Sequence, residues 1–144
     1  VSALGACIGA VVGLVAITPA AGFVGLGSSL TIGFVSAIVS RFALYLKNRS
    51  SVDDTLDVFP CHGVGGMSGM VLTAVFATEG GVITGSYELF QTHLITLVII
   101  SVSVFLLSYA LFWITDKLVP IRVDEVQEEQ GLDFSQHAES LVAN

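Results

Sequence analysis

Between Leu94 and Thr115 the chain runs for 22 residues without one charged side chain. A helix of that length is long enough to cross the roughly 30 Å of hydrocarbon in a bilayer. Three further apolar segments precede it: Ala3–Ile17, Ser28–Leu46 with only Arg41 near its end, and Val58–Ala77, which is rich in glycine and contains His62. Open strands cannot occupy lipid, because an unpaired backbone amide finds no partner there. A closed barrel would show residues alternating in polarity, and that pattern is absent. The runs therefore predict an all-α, polytopic membrane protein with about four transmembrane helices, over residues 3–17, 28–46, 58–77 and 94–115. The first run is short for a span of about 20 residues, which predicts that the sequence opens inside a helix of a longer polypeptide.

Charge is scarce and unevenly placed. Charged residues make up 12% of the chain, against about 25% in a soluble domain, so lipid and not water is the expected surroundings of most side chains. The net charge of −7 is largely that of residues 116–144, which hold seven of the twelve acids. A nucleic-acid partner is excluded on this ground. Cys7 and Cys61 lie in apolar stretches at no metal-ligand or redox spacing. His62, His93 and His137 lie in three separate segments, so neither a metal site nor a cofactor is expected. His93, at the outer boundary of the last span, reads as an interfacial residue.

The connections set the orientation. Residues 19–27 and 78–93 contain no Lys or Arg, whereas Arg41, Lys47 and Arg49 gather around the second connection and Lys117 and Arg122 follow the last span. With four spans those two regions share a face, and the excess of basic residues assigns it to the cytoplasm of a plasma (inner) membrane. Residues 116–144 are then a cytoplasmic tail, too small for a core of its own, with helical tendency over Glu125–Gln130 and a stop at Gly131.

His62 is the residue that packing alone does not require. On a regular helix Gly65, Gly66, Gly69 and Thr73 share its face, so the imidazole stands over a strip nearly free of side chains. Such a strip either lets another helix approach closely or leaves a hollow through which something small passes. An ionisable group within a membrane span is costly and points to function. Desolvation favours the neutral ring, which offers one donor and one acceptor to a small polar molecule. Asp53, Asp54 and Asp57 precede this helix, where carboxylates cap free amides and complement the helix dipole. An enzyme reading rests only on Gly66-Met67-Ser68-Gly69, which resembles the G-x-S-G of rhomboid intramembrane proteases; His62 points elsewhere and leaves His93 as the sole base for Ser68.

The stretch DDTLDVFPCHGVGGMSGMVLTAVFA (53–77) resembles the signature D-D-x-x-D-V-F-x-x-H-G-x-x-G-x-x-G of the ammonium transporter (Amt/Mep/Rh) family. GAVVGLVAITPAAGFVG (9–25) is similar to the end of that family's eighth span and the start of its ninth, and RVDEVQEEQGLDFSQHAE (122–139) to its cytoplasmic C-terminal motif. The resemblance implies spans eight to eleven plus the tail of an eleven-span fold. It implies a homotrimer in which each subunit has a narrow hydrophobic pore, where ammonium sheds its proton and ammonia passes two stacked histidines. His62 matches the second of these, Val58 and Val11 match pore-lining apolar positions, and Thr18 matches a threonine near the outer mouth. Asp54 and Asp57 match acids of structural role. The first pore histidine, the phenylalanine gate and the aromatic recruitment site belong to earlier spans, and the tail matches the region that meets a PII-type regulatory protein. Pro60 and Cys61 fill variable positions, and Ala138 stands where the motif usually has glycine. The expected function is thus ammonium or ammonia transport without an enzymatic step. The alternative is an ammonium sensor or membrane scaffold signalling through the tail.

Overall fold

A computed structural model describes residues 2–139, so Val1 and the end of the tail, 140–144, lie outside the described residues. The described chain is helical and without strands. Helix α1 spans Ala3–Ile17, α2 Leu26–Lys47, α3 Gly65–Phe76, α4 Glu88–Leu118, α5 Glu125–Gln130 and α6 Leu132–His137; a π-helical segment, Phe59–Val64, leads directly into α3. Short 3-10 turns at Thr18–Ala20 and Val82–Thr84 extend α1 and break the α3–α4 connection. Four stretches are long and apolar enough to cross a membrane: Ala3–Ala20, Leu26–Lys47, Phe59–Phe76 and Glu88–Leu118.

The largest departure from the apolar runs is α4, which reaches from Glu88 to Leu118 instead of 94 to 115. Hydrophobicity ends where lipid would end, but the helix does not have to. Glu88 in the first turn and Lys117 in the last both complement the helix dipole and let it continue.

The chain divides into two compact units, one through Ile100 and one from Ser101 onward. In the first, α1, α2 and α3 pack on one another through residues spaced four apart. Helix α1 buries Val12 and Ala16, with Ala20 following; α2 buries Ile32, Ser36, Ser40 and Leu44; α3 buries Gly65, Gly69 and Thr73. Most of these are small, which lets backbones come close where lipid offers no hydrophobic drive between helices. Ala16, Ala20 and Ile32 form the fully buried centre, with Ile17, Val24, Leu72 and Phe76 packed around it. Beyond the ends of α1 and α3, the Thr78 amide and hydroxyl both donate to the Phe23 carbonyl, at 2.9 and 3.1 Å, and tie the two connections together. Helix α4 buries no residue. Its exposed Ile95, Val98 and Ile99 suit lipid contact.

In the second unit, α5 and α6 form a small pair. Gly131 breaks them at φ +88°, and the Ser135 hydroxyl donates to the Gln127 carbonyl at 3.2 Å. Arg122 pairs with Glu128 at 3.2 Å across an exposed surface, an interaction of little energetic weight. Ala138 adopts the left-handed conformation (φ +54°) that a glycine would take without strain.

Candidate functional site

The connection before α3 is built from its acids upward. Asp54 accepts the Val58 amide with Oδ1 and the Phe59 amide with Oδ2, both at 2.9 Å, so one carboxylate closes off two amides at the start of the π-helical segment. Asp57 follows in a left-handed conformation (φ +54°), its amide donating to the Asp54 carbonyl at 3.1 Å and its carbonyl accepting from the Cys61 amide at 3.0 Å. Lys47, at the end of α2, pairs with Asp57 at 2.6 Å and donates to the Asp54 carbonyl at 3.0 Å. The sequence had given Lys47 no role beyond its charge. Its position one turn-and-loop before a cluster of acids was the available signal.

The π-helical segment changes what His62 faces. A regular helix would align His62 with Gly65, Gly66, Gly69 and Thr73, but a π turn is wider and rotates each residue less than an α turn does. Pro60 and Cys61 are buried against the helix packing while His62 is exposed. The glycine strip is not a hollow beside the imidazole: α1 lies on it. A Cβ at Gly69 would fall on the Ala16 carbonyl oxygen and 2.8 Å from its Cα, and one at Gly65 would lie 3.5 Å from Val12 Cγ1. Gly66 is looser, 3.9 Å from Val15 Cγ1. Of the two readings of the strip, close helix approach is the one the geometry contains. Next to His62, the Phe59 ring lies over Gly63, where a Cβ would meet it at 3.1 Å.

These contacts also set heights. Val12 beside Gly65 and Ala16 beside Gly69 make α1 and α3 run parallel and in step. Val11 therefore sits near the level of His62, with Thr18 roughly 10 Å further along the helix. Val11, Val58 and His62 are all exposed. Thr18, also exposed, turns its hydroxyl back to the Leu14 carbonyl at 3.0 Å.

His93 is more than an interfacial residue. Its Nδ1 lies 3.0 Å from the Met70 carbonyl. A carbonyl only accepts, so Nδ1 carries the proton and ties α4 to α3. Ser68 donates to the Gly65 carbonyl of its own helix at 2.8 Å. The two groups that serine chemistry would need are thus each bonded to a different carbonyl. Among the described residues no cluster of His, Cys, Asp and Glu is placed to hold a metal ion.

The family model described as Ammonium Transporter Family matches residues 1–142. The chain is 37% identical over 144 residues to the ammonium transporter of Bacillus subtilis, covering 94% of this chain and 36% of that one. It is 36% identical to ammonium transporter Amt1 of Archaeoglobus fulgidus, covering 94% of this chain and 36% of that one. Ammonium transporter 1 of Schizosaccharomyces pombe is 39% identical, over 96% of this chain and 31% of that relative. The chain spans about a third of the length of these relatives.

Proposed function

Because this chain belongs to the ammonium transporter family, we propose that it supplies one wall of a narrow apolar passage through which ammonia crosses the membrane, with His62 as the polar contact on that wall. The observation that carries this reading is the family match from residue 1 to 142. The exposure of His62, Val58 and Val11 supports it. A neutral imidazole between apolar side chains can donate to or accept from ammonia without presenting a fixed positive charge that would repel ammonium. Val58 and Val11 contribute a surface that gives a hydrated ion nothing in exchange for its water. Ammonium must then shed its proton before passing.

On the same reading the chain works as part of a homotrimer in the plasma (inner) membrane. Lys47 and Arg49 face the cytoplasm, and so does the acidic tail, whose α5–α6 pair offers a surface to a PII-type partner. On this reading the opposite wall carries a second pore histidine and a phenylalanine gate.

The test uses methylammonium as a traceable substrate. Cells lacking their own ammonium transporters and expressing the full-length protein should accumulate methylammonium well above vector controls, with uptake suppressed by added ammonium. Absence of uptake from a protein shown to reside in the membrane would contradict the reading.

A further inference from the structure

Lys47 sits at the junction between α2 and the turn that precedes the π-helical segment carrying His62. Its ammonium group pairs with the Asp57 carboxylate at 2.6 Å and also donates to the Asp54 carbonyl at 3.0 Å. That same carbonyl accepts the Asp57 amide at 3.1 Å. The Asp54 carboxylate meanwhile holds the Val58 and Phe59 amides, and the Asp57 carbonyl holds the Cys61 amide. Asp57 itself sits at φ +54°, in the left-handed region that non-glycine residues seldom enter and that aspartate tolerates better than most. The pair is sheltered, with the two side chains 17% and 23% exposed, so water screens it less than a surface pair. The neighbouring cation is engaged elsewhere: the Arg49 guanidinium lies over the Tyr45 ring at 4.3 Å.

We propose that Lys47 is a positioning residue for transport: it clamps the Asp54–Asp57 turn to the end of α2 and thereby fixes the rotation and height of the π-helical segment that presents Val58 and His62. The proposal rests on the transport reading above for its functional half, while its positional half stands on the geometry alone. A π turn is rare and occurs mostly as a single turn inside a longer helix, so the start of this segment depends on what holds it from outside. Without the ammonium group, Asp57 loses the partner that offsets its left-handed backbone, and the turn is free to relax.

The experiment uses the full-length protein carrying Lys47→Met or Lys47→Arg, each also in a Cys7→Ser background. Methylammonium uptake gives the maximal rate and the half-saturating concentration; maleimide labelling of Cys61, buried in the π-helical segment, reports its position. Lys47→Met is expected to lower the maximal rate between about tenfold and a hundredfold, the scale of a small misplacement of a working group. The half-saturating concentration and the amount of folded protein should stay unchanged, and Cys61 labelling should accelerate. Lys47→Arg, which keeps the charge, should recover most of the rate. A Lys47→Met protein that transports at the wild-type rate, or labels Cys61 no faster, overturns the proposal. Should that variant fail to reach the membrane, Asp57→Asn removes the same ion pair and is read in the same way; loss of folded protein in both overturns positioning in favour of a purely structural role. If the wild-type protein itself does not transport, the transport reading fails, and Cys61 labelling still decides whether Lys47 positions the segment.

Discussion

Gly69→Ala is expected to destabilise the folded protein, although adding a methyl group to an open helical glycine normally stabilises it by about 1 kcal/mol. The sign reverses because of where α1 lies. The new Cβ would meet the Ala16 carbonyl oxygen and carbon, which are backbone atoms and cannot rotate away. One of the two helices must shift, and the shift is carried to Thr73 and Ala20, both buried along the same seam. Forced overpacking costs about 1–3 kcal/mol in well-packed interiors, and a backbone collision belongs at the upper end. Gly69→Val should be worse still. Gly66→Ala is the matched control, because its nearest neighbour across the seam, Val15 Cγ1, is 3.9 Å away. Thermal unfolding of the purified full-length protein, followed by gel filtration, should show a lowered midpoint for Gly69→Ala and little change for Gly66→Ala. Equal midpoints for the two variants would mean that α1 and α3 do not cross at Gly69.

The second large effect is on transport. His62→Ala in the full-length protein should reduce the methylammonium uptake rate and weaken competition by ammonium together. Removing one hydrogen-bond partner of the passing molecule is worth about 1.5 kcal/mol, or roughly tenfold in rate. Protein abundance should be little affected, since the ring is exposed among the described residues. A variant with unchanged rate and unchanged competition would leave His62 without a part in the passage. A variant that loses the folded protein would instead give the ring a structural task.

How much of this was legible in the sequence follows from what each signal measures. Apolar runs report what lipid would accept, and each of the four falls on a helix long and apolar enough to cross a membrane. They could not locate the ends of α4, because Glu88, Gln91 and Asp116 continue a helix beyond the apolar part. The acids before α3 announced a helix start through dipole and capping chemistry, and Asp54 caps two amides there. That Asp57 would turn left-handed and face Lys47 was not legible, since an ion pair across a loop has no fixed spacing. The face of His62 was not legible either, for a definite physical reason. A period of 3.6 does not hold across Phe59–Val64, where the chain is π-helical. With the strip occupied by α1, the role of the glycines is to admit a backbone, and His62 is exposed while Gly65 and Gly69 are buried. Gly131 as a helix stop was readable from composition, whereas the left-handed Ala138 was not, because alanine seldom takes that conformation.

The most direct test is an experimental map of the intact full-length assembly at a resolution that shows side chains. The expected map has the His62 ring facing an open, narrow passage through the subunit, with Val58 and Val11 on the same wall and no lipid in contact with the imidazole. A map in which that ring lies against acyl chains, or is packed solidly among side chains of the complete protein with no passage beside it, would contradict the proposed role.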